Sequence, residues 1–232
     1  MSEKVAIVTG GGRGIGRAIC EGLATAGMQV VALARSRQEL DETAAIIEKA
    51  GGTCRGEPVD VRDGVALDAL IARVATELGR VDVLVNNAGV APLASIEETD
   101  PAMFDETMGV NVGAVYRACR AVWPLMRKQG AGVIVSISSA ASVDPFPGFA
   151  LYGASKAWIN MWTKALGAEG EPVGIRVFAA APGAVETRML RTAFPDFPND
   201  EVLAPSDVAE VVVSLTRSDC PHASGDTVFI KK

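Results

Sequence analysis

Residues 5–16 read Val5-Ala6-Ile7-Val8-Thr9-Gly10-Gly11-Gly12-Arg13-Gly14-Ile15-Gly16, an apolar β-branched run that breaks into a cluster of glycines. Beyond it Ile15, Ile19, Leu23 and Ala26 recur on one helical face. Strand, glycine turn and helix in that order form a place where backbone can approach a pyrophosphate closely. The unpaired N–H groups and the positive dipole end of the following helix add to the attraction. Gly10, Gly11, Gly12, Arg13 and Ile15 are therefore the first candidates for contact with a dinucleotide.

The same alternation continues along the chain. Met28–Ala34 is a second apolar run, and Gln38–Ala50 reads as a helix stopped by Gly51-Gly52. Thr53–Val59 is a weaker strand, Val65–Leu78 an amphipathic helix, and Val81–Val85 a strand apolar enough to be covered on both faces. Asp100-Pro101 is an N-cap followed by proline, opening a long helix to about Lys128. Gly132–Ser138 (strand), Tyr152–Ala168 (helix), Gly174–Ala180 (strand), Asp207–Thr216 (helix) and Thr227–Ile230 (strand) follow. Strands separated by helices of this length pair in parallel through right-handed crossovers. The expectation is an α/β, doubly wound, mostly parallel seven-stranded sheet with helices on both faces, as one domain over residues 1–232. Thr187–Leu203, with Pro195 and Pro198, is the most irregular stretch and reads as a lid.

Composition narrows the class. Of 232 residues, 49% are apolar and 22% charged, with a net charge of -6. That balance argues against a nucleic-acid surface, which needs a basic excess. No apolar run approaches the roughly 18 residues of a membrane span, and the start reads as no secretory signal. A cytoplasmic location is expected. Cys20, Cys54, Cys119 and Cys220 are far apart, and His222 is the single histidine. Neither a histidine triad nor a metal centre is expected.

The end of the second strand speaks to cofactor choice. An acid there would suit the ribose hydroxyls of NAD, whereas a 2′-phosphate needs positive charge. The sequence has Ala34-Arg35-Ser36, and Arg13 would approach from the glycine turn. Two guanidinium groups converging on a phosphate point to NADP(H). Further on, Ser139 precedes Tyr152, and Lys156 follows it at helical i,i+4 spacing. A free phenol is too weak an acid at neutral pH, and a nearby ammonium is expected to lower its pKa. Ser139 at a strand end is placed to hydrogen-bond a substrate oxygen.

Thr9–Gly16, Asn86-Asn87-Ala88-Gly89, Asn111, Ser139, Tyr152-Gly153-Ala154-Ser155-Lys156 and Pro182-Gly183 together resemble the ordered motifs of the short-chain dehydrogenase/reductase family. The resemblance runs from about residue 4 to 230 and implies a Rossmann-like fold. It implies Tyr152 as general acid in reduction and base in oxidation, with Lys156 binding the nicotinamide ribose and Ser139 orienting the carbonyl. Asn111, flanked by Gly109 and Gly113 in a locally disturbed helix, would hold a water of the proton relay. By the same resemblance Asp60 and Val61 would contact adenine. Asn87, Ala88 and Gly89 would line the adenosine ribose, and Val185 and Thr187, after Pro182-Gly183, would bind carboxamide and phosphate. Asn86-Asn87 also suits a turn tying strands together.

The reaction implied is hydride transfer between NADP(H) and a small-molecule ketone or aldehyde. Val90, Ala140, Val143, Phe146, Phe149, Leu151 and Phe194 are the candidate apolar pocket. Arg127, Lys128, Arg188 and Arg191 suit docking of an acidic acyl carrier protein, the substrate of a 3-oxoacyl reductase. NAD-linked alcohol oxidation and a non-catalytic NADP sensor are the other readings, although the sensor would not need the Tyr/Lys pair. A homodimer or homotetramer is expected. The helices from Pro101 and Tyr152 would make the dimer, while an ending at Lys231-Lys232 puts the tetramer in doubt.

Overall fold

The computed structural model describes residues 3–232. Strands β1 (Lys4–Thr9), β2 (Met28–Ala34), β3 (Thr53–Pro58), β4 (Val83–Asn86), β5 (Gly132–Ile137), β6 (Ile175–Pro182) and β7 (Thr227–Ile230) form one sheet in the order β3-β2-β1-β4-β5-β6-β7. All six pairings are parallel. The order reverses between β1 and β4, which opens a crevice at the carboxyl edge there.

Helices α1 (Gly14–Thr25), α2 (Arg37–Lys49) and α8 (Pro205–Thr216) cover one face, burying Ile19, Leu23, Leu40, Ile47, Val208 and Val212 against Val8, Val30, Val85 and Val135. On the other face α3 (Gly64–Leu78), α5 (Ala114–Gln129) and α6 (Ala150–Gly170) bury Leu67, Ile71, Val122, Met126 and Ile159 against Ile7, Leu84, Ile134 and Val177. A sheet covered on both faces needs strands that are apolar throughout, and β4 and β5 are fully buried along their length.

The long helix expected from Pro101 is not continuous. It comprises α4 (Pro101–Met108), a π-helical turn at Gly109–Gly113, and α5. In that turn the Ala114 N–H bonds the Gly109 carbonyl, five residues back instead of four. Pro124 is tolerated inside α5 because it faces solvent, where water can serve the carbonyl that loses its partner. The irregular stretch Thr187–Leu203 carries more order than its prolines suggest. It holds a short helix α7 (Arg188–Ala193), a 3₁₀ turn at Asn199–Glu201 and a bridge between Val185 and Leu203. No helix among the described residues is long and apolar enough to cross a membrane.

Candidate active site

A cleft of about 1280 Å³ runs along the carboxyl edge, from Arg35 and Asp60 at one end, past the glycine turn, to Tyr152 and a cluster of phenylalanines at the other. The glycine turn is built for close approach. A Cβ on Gly16 would sit on the carbonyl oxygen of Gly10, so only glycine lets the first turn of α1 fold back on the strand end. Gly10 itself has φ +68°, in the left-handed region. No side chain caps the N-terminus of α1, which leaves its first N–H groups directed at the cleft. An open glycine cradle under an uncapped helix end fits the pyrophosphate of a dinucleotide.

Most of the expected cofactor residues line this cleft: Gly10, Gly12, Arg13, Ile15, Arg35, Asp60, Val61, Asn87, Ala88 and Gly89. Tyr152, Lys156, Pro182, Gly183, Val185 and Thr187 line it as well. Gly11 does not. Its N–H bonds the Leu33 carbonyl, and a Cβ there would meet Ala32 and Cys20, so it packs the turn onto the core. Asp60 already accepts from Arg62 Nη2 at 2.7 Å and from the Arg62 N–H at 2.9 Å, and this guanidinium holds its carboxyl below the usual range. Thr187 caps α7, accepting from the Leu190 N–H at 3.2 Å.

Asn87 has the structural duty anticipated for it. Its Nδ2 donates to the Thr9 and Gly10 carbonyls at 3.0 and 3.1 Å, tying β4 to the glycine turn. Asn86 is buried and donates to Ser136 Oγ at 3.2 Å.

Ser139, Tyr152 and Lys156 meet in the same cleft. The Ser139 hydroxyl accepts from the Ala141 N–H at 3.1 Å and lies near enough to the Tyr152 phenol to favour its ionised form. A Cβ on Gly153 would lie 2.7 Å from the Ala141 carbonyl oxygen, so this glycine lets α6 approach the turn that carries Ser139. Serine 138 and Asn160, which sequence reasoning missed, lock that approach. The Ser138 hydroxyl donates to Asn160 Oδ1 at 2.6 Å, Asn160 Nδ2 donates to Ser142 Oγ at 2.8 Å, and Ser142 Oγ donates to the Ser139 carbonyl at 2.6 Å. Ser138-Ser139 after a buried strand was the visible signal for such a network.

Lys156 is 4% exposed, donates from Nζ to the Ile137 carbonyl at 2.8 Å, and lies 5.7 Å from the centre of the Tyr152 ring. Burial pulls its pKa down to about 8. Burial also raises the Tyr152 phenol. The expected lowering of the phenol by the ammonium is thus corrected: desolvation of the phenolate raises its pKa, and the Ser139 hydroxyl is what opposes that rise, only in part. Asn111 is fully buried in the π turn behind the cleft wall. Its Nδ2 donates to the Val90 carbonyl and to Ser155 Oγ, both at 2.9 Å, while Oδ1 accepts from the Val90 N–H at 2.9 Å. The amide is thereby occupied in joining the π turn to α6 and to the segment after β4. Both donor hydrogens are used within the protein, so the side chain has none left to donate to a water.

At the far end Phe149 packs against Tyr152 with ring centres 5.2 Å apart. Phe146, Phe194 and Phe197 extend the cluster, with Phe149 and Phe194 at 5.6 Å. Of the candidate pocket residues, Val90, Ala140, Val143, Phe146, Phe149 and Phe194 line the cleft and Leu151 does not. Phe197 is an addition.

Comparison with known proteins gives concordant findings. A family model described as short chain dehydrogenase matches residues 4–197. The 3beta-hydroxysteroid dehydrogenase 1 of Eggerthella lenta is 35% identical, with 99% of this chain and 93% of that protein covered. A candidate NAD(P)-dependent gluconate 5-dehydrogenase of Beutenbergia cavernae, solved with NADP at low occupancy, superposes with a TM-score of 0.93 at 32% identity, covering 100% of this chain and 96% of that one. The 3-ketoacyl-(acyl-carrier-protein) reductase of Brucella melitensis, solved with NADH, superposes with a TM-score of 0.90 at 31% identity, covering 100% and 98%.

Proposed function

The chain belongs to the short-chain dehydrogenase family, and from that premise we propose that it is an NADP(H)-dependent reductase of apolar ketones or aldehydes. The observation that carries this reading is the meeting of Ser139, Tyr152 and Lys156 in the cleft that also holds the glycine cradle. When bound, the nicotinamide supplies the hydride. Tyr152 donates the proton to the carbonyl oxygen, and its raised pKa keeps the phenol protonated at neutral pH, the form reduction requires. Ser139 hydrogen-bonds the same oxygen as negative charge develops. Lys156, buried beneath the ring, supplies positive charge to the emerging phenolate.

Preference for NADP(H) is supported by charge at the adenosine end, where Arg13, Arg35 and Arg188 line the cleft and the strand end of β2 carries no acid. In a fluorescence titration the protein is expected to bind NADPH about tenfold tighter than NADH, and Arg35→Ala to remove most of that difference. Tighter NADH binding would favour NAD-linked alcohol oxidation instead. A panel of carbonyl compounds assayed with both cofactors tests the activity, and a protein that consumes neither cofactor with any carbonyl would be the sensor.

The phenylalanine cluster supports an apolar, ring-bearing substrate. Phe194→Ala is expected to lower kcat/KM for such a ketone by about 10- to 100-fold, the worth of one desolvated phenyl ring, mostly through KM. An unchanged KM would move the substrate off this cluster. An acyl-carrier substrate is less well supported. Arg188 is paired with Glu39, and Arg191 with Glu186. Arg127 and Lys128 end α5 just before β5 begins, at the amino edge of the sheet and away from the cleft. We place the homo-oligomer on α4–α5 and α6, where Phe104, Tyr116 and Met161 are exposed.

A further inference from the structure

Of the two arginines expected to converge on a phosphate, Arg13 meets an acid of the protein's own, and Arg188 shares that acid with it. One carboxylate oxygen, Glu39 Oε1, accepts from Arg13 Nη1 at 2.8 Å and from Arg188 Nη2 at 2.7 Å. Glu39 is held at this point by the backbone. It lies in the first turn of α2, where its N–H bonds the capping Ser36 Oγ at 3.3 Å. A Cβ on Gly12 would lie 2.9 Å from Glu39 Cβ, so the glycine turn runs directly against it. All these residues line the adenosine end of the cleft.

From this geometry we propose that Glu39 determines cofactor specificity as an internal competitor of the 2′-phosphate. The inference rests on the NADP(H) reading of the preceding subsection and deepens it. A carboxylate and a phosphate ester both bind a guanidinium through paired oxygens, so they are alternatives for Arg13. The Arg13 and Arg188 side chains are 55% and 60% exposed, so their ion pairs with Glu39 are weak enough to exchange. A bound 2′-phosphate takes Arg13, and Glu39 keeps Arg188. The phosphate then lies beside a carboxylate that keeps only one of its two cationic partners, and the remaining repulsion limits the preference for the phosphorylated cofactor. Glu39 also joins the glycine turn to the lid helix α7 across 149 positions of sequence.

Glu39→Gln removes the charge and keeps the shape. The probes are adenosine 2′,5′-bisphosphate and adenosine 5′-monophosphate, with affinities measured by calorimetry for the wild type, Glu39→Gln, Arg13→Ala and Arg13→Ala/Glu39→Gln. Glu39→Gln is expected to bind the bisphosphate about tenfold tighter and the monophosphate within about twofold of wild type. The gain should shrink in high salt and in the Arg13→Ala background. An unchanged or weaker bisphosphate affinity overturns the proposal. So does a selective loss of monophosphate affinity, which would make Glu39 a partner of the ribose hydroxyls. The NADP(H) reading fails separately, if wild type binds the bisphosphate no tighter than the monophosphate; the ratio of variant to wild type still decides the role of Glu39.

Discussion

Tyr152→Phe is expected to lower kcat for carbonyl reduction by about a thousandfold while NADPH affinity stays within about twofold of wild type. The substitution removes one oxygen from a half-buried ring that keeps its packing against Phe149. What disappears is the proton donor, and general acid catalysis contributes roughly 10²–10⁴. Ser139→Ala loses the hydroxyl that favours the ionised phenol and that is proposed to meet the developing oxyanion, and the expected loss is about a hundredfold. If the two act on one oxygen, their losses will not add: the double variant should be little slower than Tyr152→Phe alone. Retention of more than a tenth of wild-type turnover by Tyr152→Phe would remove the phenol from the chemistry.

Lys156 carries the second large effect, on activity and on stability in opposite directions. Lys156→Met should lose nearly all turnover, since no positive charge then faces the phenolate. The same change relieves the folded protein of a buried ammonium. The pKa of Lys156 is lowered from 10.5 to about 8 by burial, which corresponds to about 3 kcal/mol of destabilisation at neutral pH. Below pH 8 both folded and unfolded lysine are protonated and that cost is present in full. Between pH 8 and 10.5 the unfolded state binds more protons than the folded one, so the cost fades as pH rises. Loss of the hydrogen bond to the Ile137 carbonyl works against the variant, by roughly 1–3 kcal/mol, but does not depend on pH. Urea unfolding from pH 7 to 10.5 in a Tyr152→Phe background, where the phenol cannot titrate, isolates the lysine. The stability of Lys156→Met relative to Lys156 should fall by about 3 kcal/mol across that range. A flat difference would show that the ammonium is not held out of water.

Features written in local pattern were legible before the structure. Met28–Ala34 and Thr227–Ile230 are strands with the bounds their apolar runs suggest, and the alternation of strand and helix implied the parallel sheet. The disturbed helix at Asn111 was readable from its two glycines, although the five-residue hydrogen bond was not. Features that depend on where other elements fall were hidden. Glu39 looks like one of several charges on the solvated face of α2, and its place against Gly12, between Arg13 and Arg188, emerges only in the fold. Gly11 is indistinguishable by type from Gly10 and Gly12, yet it faces Ala32 and Cys20. The phenol moved opposite to expectation because spacing reports the neighbouring ammonium but not the loss of water. Leu151 adjoins Tyr152 in sequence, and one step along a helix turns a side chain by about 100°, out of the cleft.

The reversal of strand order between β1 and β4 gives the chain a modular layout. Arg13, Arg35 and Glu39 all precede Leu40, whereas Ser139, Tyr152, Lys156 and the phenylalanines all follow β4. Swapping the leading segment for that of a relative with another cofactor habit would transplant the habit and leave the choice of carbonyl behind. Arg188, reaching back from the trailing portion to Glu39, is the seam such a hybrid would have to match.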